Sequence, residues 1–274
     1  MTDLEGAEAR CTTAVTVTPP TGPTKPDDPE GGGDPHFRTW HGFKYSYHGA
    51  CDLVLLHSDL FANGLGMDIH IRTKHRGMYS YISSAAVRIG DKVMEVSGQL
   101  KTYYVNGVKN APLATTKLSG YRVTLAEPSA YQRTYIVHAE RQKVVIKTWK
   151  DLVSVKIEEA QAAHFGDAVG LMGNFATGQL LSRDGTVMRD VNAFGQEWQV
   201  QSTELLLFQT IQRPQHPKVC TMPVASTSAL RRRLSEGITE EAAKAACAHV
   251  KAADLDFCVF DVMATNDVDT AGAY

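Results

Sequence analysis

Residues 121–157 read YRVTLAEPSAYQRTYIVHAERQKVVIKTWKDLVSVKI. Tyr121-Arg122-Val123-Thr124-Leu125 alternates apolar with polar, Val144 to Thr148 repeats that alternation, and Leu152 to Ile157 repeats it through Val153, Val155 and Ile157. A period of two in β-branched and aromatic residues is the pattern of a strand with one buried face and one wet face. Glu127-Pro128 punctuates the stretch as a turn. The same signs extend upstream. Asp68-Ile69-His70-Ile71-Arg72 alternates, and Cys51 to Leu56 is a short apolar run suited to a strand covered on both faces. Gly64, Gly66, Gly90-Asp91 and Gly120 separate the runs, and Asn106-Gly107 between Tyr103-Tyr104-Val105 and Val108 predicts a two-residue hairpin. Residues 36–160 therefore read as mainly β, about nine short antiparallel strands in a β-sandwich.

The flanks differ. Residues 12–33, TTAVTVTPPTGPTKPDDPEGGG, have the Thr, Pro and Gly content of a linker, so 1–33 is expected to be disordered, with Gly31-Gly32-Gly33 closing it. Residues 161–200 are loop-rich and end in a strand-like Glu197-Trp198-Gln199-Val200. Beyond Pro214, Pro217 and Pro223 the pattern turns helical. Thr239 followed by Glu240-Glu241 predicts a helix start, and Phe257, Phe260, Val262 and Met263 call for a surface to cover. The expected organisation is a linker (1–33), a β domain (34–202) and a small helical C-terminal subdomain (203–274) packed on the sandwich.

Composition bounds the function. Twenty-eight Lys and Arg against 30 Asp and Glu give a net charge of −2, which supplies no general pull toward nucleic acid. No apolar run approaches the roughly 20 residues of a membrane helix. The opening MTDLEGAEARC has neither basic nor apolar signal regions, so the chain reads as intracellular or as a segment of a longer secreted protein. No asparagine opens a glycosylation sequon. The ten histidines show no zinc spacing, and no GxSxG elbow or phosphate-binding GxxxxGK is present. Arg231-Arg232-Arg233 reads as a solvated segment or a proteolytic site. The five cysteines, Cys11, Cys51, Cys220, Cys247 and Cys258, contain no CxxC pair, and their count alone leaves bridges and buried thiols both open.

Three ordered blocks narrow this. The first is Gly33-Asp34-Pro35-His36-Phe37-Arg38-Thr39-Trp40, continuing through Gly42, Phe43 and Tyr45 to Gly49-Ala50-Cys51 and the apolar run. The second is Gly170-Leu171-Met172-Gly173-Asn174-Phe175. The third is Asn192-Ala193-Phe194-Gly195-Gln196-Glu197-Trp198-Gln199-Val200. Together they resemble a von Willebrand factor type D domain, with its GDPH opening, its G-L-C-G-N block and its N-x-F-G-x-x-W-x-V block. Cys247 and Phe257-Cys258-Val259-Phe260 are similar to a reduced form of the cysteine-rich module that follows such domains. The resemblance implies a non-enzymatic extracellular module for adhesion or matrix assembly, whose partners are other extracellular proteins or glycans. An accessory domain of an extracellular enzyme and a lipid-binding module are the alternatives. Fold analogy carries this implication more than any site does.

The resemblance also implies particular residues. Cys51 matches a strand cysteine whose partner follows the third block, which implies Cys51–Cys220 and leaves Cys247 to pair with Cys258. In the entropic model a 51–220 loop contributes on the order of 4–5 kcal/mol. Met172 stands where the family places a cysteine, so Cys11 is left free or pairs outside the chain. Family calcium sites draw on an Asp after the GDPH strand and on residues after the second block. Here His41 and Ala176 occupy those places, and Ca²⁺ wants six to eight oxygens. No native calcium site is therefore expected, with Asn174 and Asp184 the weak candidates and Asp167 or Asp190 as recruits. Asp34-Pro35 has two readings. Asp34 caps a turn while Pro35 sets the strand entry, or the acid-labile bond cleaves itself, as in some mucin relatives, with His36 donating a proton.

Overall fold

Every alternating stretch finds an antiparallel partner in a computed structural model. It describes residues 28–33, 35–76, 79–99, 102–109, 116–211, 219–223 and 237–274. The strands are β1 (Glu30–Gly32), β2 (His36–Arg38), β3 (Lys44–Ser46), β4 (Asp52–Ser58), β5 (Met67–Arg76), β6 (Tyr79–Ile89) and β7 (Lys92–Ser97). They continue with β8 (Tyr103–Val105), β9 (Val108–Lys109), β10 (Lys117–Leu118), β11 (Tyr121–Ser129), β12 (Gln132–Ala139), β13 (Gln142–Trp149) and β14 (Leu152–Glu158). One sheet has the order β10-β11-β12-β13-β14-β1-β2-β3 and the other β4-β5-β6-β7-β8-β9. Their inner faces meet over Leu53, Leu55, Ile69, Ile71, Val137, Val144, Ile146, Val155 and Ile157, all buried. The protein is a two-sheet β-sandwich.

Local chemistry explains the joints. Asn106 and Gly107 both take positive φ in the two-residue turn joining β8 and β9, as a type I′ hairpin requires. The apolar run becomes β4, buried on both faces apart from half-exposed His57. It is an edge strand whose free side is covered by loop backbone, with Val54 N–H donating to Trp198 O and Leu171 N–H to Val54 O. Asp52 and Arg72 face each other across β4 and β5 in a buried two-point ion pair of 2.6 and 2.8 Å, and Arg72 lies over the Phe208 ring.

Three expectations shift. Glu30–Gly32 is a strand paired with β14 and β2, so the sandwich begins inside the stretch read as linker. Sheet pairing on both sides outweighs the weak strand propensity of glycine here. Residues 1–27, with Cys11, lie outside the described residues, as do Asp34 and Arg231-Arg232-Arg233. Glu197 ends a helix rather than opening a strand. Asp190 caps Val191–Glu197 by accepting from Asn192 N–H and Ala193 N–H, and within 197–200 a single bridge, Leu53 to Gln199, forms. Leu207 and Phe208, expected in the helical part, lie outside any helix and pack on Ala86 of the sandwich.

With one-turn elements α1 (Phe61–Gly64) and α2 (Ala162–Phe165), and α3 (Val191–Glu197), the helices close with α4 (Glu240–Ala246) and α5 (Leu255–Thr265). Thr239 caps α4 by accepting from Ala242 N–H, with Glu240 and Glu241 in the first turn. A 3₁₀ turn, Val268–Ala273, completes this C-terminal lobe. Its own core is Ala243, Cys247, Cys258, Val262 and Ala271.

Candidate functional site

The residues singled out from sequence fall into two places, with the disulfides between and beyond them. The first place is the corner where β1 turns into β2. His36 is buried there, with Nδ1 2.7 Å from Ser46 Oγ on β3 and Nε2 2.9 Å from Asp261 Oδ1 on α5. A carboxylate only accepts, so the proton lies on Nε2 and a neutral ring accepts the Ser46 hydroxyl at Nδ1. Phe257 stacks on the ring at 4.3 Å and Phe260 meets it edge-on at 5.2 Å. Asp261 Oδ2 also accepts the Tyr274 hydroxyl at 2.5 Å. Gly33, with φ +61°, passes so close that a Cβ would stand 2.1 Å from Asp261 Oδ2, which only glycine permits. Pro35 O accepts Tyr47 N–H, fixing the entry to β2.

This corner is a docking seam. Around it Arg38 pairs with Asp254, Lys44 donates to Ala253 O and lies over Phe257, and Lys150 reaches Asp267 and Asp269 at 3.3 and 3.2 Å. The sheet presents bases and the C-terminal lobe presents acids. Ser46, His36 and Asp261 form a line of the kind a hydrolase uses. Here it is built into the seam, and Ser46 lies outside the lining of the small crevice beside His36.

The second place is the loop after the second sequence block. His41 Nε2 lies 2.9 Å from Phe175 O, so the imidazole N–H donates to that carbonyl. Gly178 (φ +71°) passes beneath the ring, where a Cβ would meet Cγ at 2.6 Å. Asn174 Oδ1 accepts Thr177 N–H and its hydroxyl, both at 2.9 Å. Asp184 Oδ1 accepts the Ser182 hydroxyl at 2.5 Å and Thr186 N–H at 3.0 Å; these bonds, the hydroxyl first, hold its carboxyl below the usual range. Asp190 caps α3, and Asp167 accepts from Ser58 Oγ, Asp59 N–H and Leu60 N–H. The candidate oxygens thus point to separate backbone partners, and no three metal-ligating side chains converge among the described residues. A nitrogen donor on Phe175 O and dispersed carboxylates do not fit calcium, which needs converging oxygens.

The cysteines pair as the resemblance implies. Cys51–Cys220 has a Cα separation of 5.2 Å and ties the start of β4 to residues 169 positions on, beside the Ala50–Thr221 bridge. Cys247–Cys258 links α4 to α5 with both residues fully buried. Met172, in the cysteine place, is buried in the sandwich core. Both bridges belong to an oxidising compartment.

Sequence reasoning found His36 but not Asp261, Asp254 or Tyr274, because no local signal links β2 to a helix 225 residues away. The one available hint was the pair Phe257 and Phe260, apolar residues in want of a surface. Compared with known families, residues 30–181 match the model of the von Willebrand factor type D domain.

Proposed function

The chain belongs to the von Willebrand factor type D domain family, and from that membership we propose that it is a non-enzymatic adhesion or matrix-assembly module of an extracellular protein. The observation that carries the proposal is a family match running through a sandwich stapled by Cys51–Cys220. Loops and an open sheet face are its working surfaces, and we read the C-terminal lobe as a reduced cysteine-rich module. No helix among the described residues is long and apolar enough to cross a membrane. The crevice between sheet and lobe, about 30 Å³, suits water rather than an acyl chain, which favours adhesion over lipid carriage. Purified chain is expected to bind deposited extracellular matrix saturably. Failure to bind, or turnover of ester, peptide and glycoside substrates, would overturn the proposal.

We read Asp34-Pro35 as a bond that stays intact; Asp34 itself lies outside the described residues. Both ring nitrogens of His36 are engaged, by Ser46 and Asp261, which opposes its use as a free proton donor. The chain should stay intact on long incubation near pH 5, followed by mass spectrometry. A fragment beginning at Pro35, abolished by Asp34→Ala but not by protease inhibitors, would show self-cleavage instead.

A further inference from the structure

Cross-strand register lines up one set of charges on the solvent face of the eight-stranded sheet. Lys117 pairs with Arg122, Arg122 with His138 and His138 with Lys143, across β10, β11, β12 and β13. Directly opposed residues share a face, and the alternating burial of β12 and β13 puts His138 and Lys143 on the outer one. Lys117 and Arg122 are exposed. Strand spacing sets the four side chains in single file over about 14 Å.

That arrangement is costly on its own. Like charges directly opposed destabilise a sheet, and the ring of His138 records it. Burial first, then Arg122 and Lys143, hold its pKa below the ordinary value. Elsewhere on this face several bases are matched by carboxylates, Arg38 by Asp254, Lys150 by Asp267 and Asp269, and Lys156 by Asp28 and Glu158. In the row, Lys143 meets Glu159 at 2.9 Å. Lys117 and Arg122 have no carboxylate within 4.0 Å among the described residues. The acidic C-terminal lobe covers one end of the sheet; Glu158 and Glu159 stand against Lys143, and beyond them the bases Lys117 and Arg122 keep no acidic cover among the described residues.

We propose that the row Lys117, Arg122, His138 and Lys143 binds a linear anionic glycan carrying sulfate or carboxylate groups on successive sugars. This rests on the adhesion reading and names a partner class for it. A single file of charge suits a linear chain. The neighbouring row is Thr124, Ile136 and Val145, an apolar ledge that fits the C–H faces of sugar rings and offers little to a plane of lipid headgroups. The overall charge of −2 gives no wider field for nucleic acid.

The test is affinity chromatography of the whole chain on immobilised heparin, with a matched single-stranded DNA column, dextran beads and phosphatidylserine vesicles alongside. Wild type should be retained at low salt and eluted as salt screens the contacts. Lys117→Glu with Arg122→Glu should weaken binding by at least about tenfold, as reversal of two surface contacts implies. Lys117→Gln with Arg122→Gln should give a smaller loss without introducing new charge. Lys109→Glu with Lys251→Glu, an equal change in net charge elsewhere, should bind as wild type. Melting curves establish that each variant is folded. Retention should also rise as pH falls through the histidine range, because protonated His138, faced by Arg122, Lys143 and the Thr124 hydroxyl, adds a cation; His138→Gln should abolish that rise. No retention of wild type, equal loss in the Lys109/Lys251 control, or equal capture by DNA, dextran or vesicles overturns the assignment. Wild type that adheres to matrix yet ignores heparin overturns the row alone, and wild type that does neither overturns the adhesion reading too.

Discussion

His57 on β4 shows how a single side chain sets a pH dependence. Its Nδ1 lies 2.6 Å from Asp68 Oδ1 on β5, and Arg88 on β6 closes on the same carboxylate. The hydrogen bond that His57 donates to Asp68 is the largest influence on His57 and raises its pKa, against the opposing effect of burial. For Asp68, burial pushes upward, but His57 and Arg88 together carry its pKa below the ordinary value. The two signs bracket a window. A raised histidine contributes stability that is complete below its ordinary pKa and is lost as pH rises through the folded value. A lowered carboxyl contributes above its ordinary pKa and loses that contribution as pH falls through the folded value. The pair should therefore stabilise most between about pH 4.5 and 6. His57 is 41% exposed, so the gain is screened and should stay below about 1 kcal/mol. Urea denaturation of wild type and His57→Gln across pH 4–8 checks this. The difference should peak inside the window and shrink toward pH 8, and a difference that grows toward pH 8 would refute the pairing.

At the scale of elements, the loop from Asn174 to Asp190 is held by its own hydrogen bonds. His41 bonds Phe175 O, Thr177 serves Asn174, and Asp184 closes the turn through Ser182 and Thr186. Millimolar Ca²⁺ should then leave the melting temperature within about 1 °C, since an ion stabilises only as far as it binds the folded state. His41→Ala should cost about 0.5–1 kcal/mol through one lost hydrogen bond at an exposed position. A rise of several degrees with Ca²⁺, reversed by chelator, would show converging oxygens after all. Much of this was legible in sequence because turn and strand signals are local. Alternation gave β5, β11, β13 and β14, and Asn106-Gly107 gave a hairpin. The misses were also local. Gly31 and Gly32 have no side-chain pattern to reveal a strand formed only by its neighbours, and Asp190 capping α3 was hidden by the short span of that helix.

At the scale of the molecule, the C-terminal lobe poses a question of support. Its core of Ala243, Cys247, Cys258, Val262 and Ala271 is too small to repay the entropy of ordering some 35 residues. Two further things hold it. The Cys247–Cys258 bridge closes a short loop and contributes about 3 kcal/mol in the entropic model. The seam with the sheet adds Asp261, 1% exposed, to His36 and Tyr274, with Arg38–Asp254 beside them. Removing Asp261 leaves the His36 Nε2–H and the Tyr274 hydroxyl without their acceptor in the buried seam, at a cost of about 1–3 kcal/mol for each. Asp261→Ala should therefore release the lobe before the sandwich. Hydrogen exchange in 255–265 should accelerate by at least about tenfold while β5 and β13 keep their protection, because stability is distributed in local units. The double variant His36→Phe with Asp261→Leu should recover part of the loss, since it also removes the imidazole N–H that Asp261→Ala leaves unpaired. Equal loosening of lobe and sheet would mean that Asp261 supports the sandwich itself. Protection unchanged in both would mean that the flanking pairs at Arg38 and Lys150 hold the lobe without it.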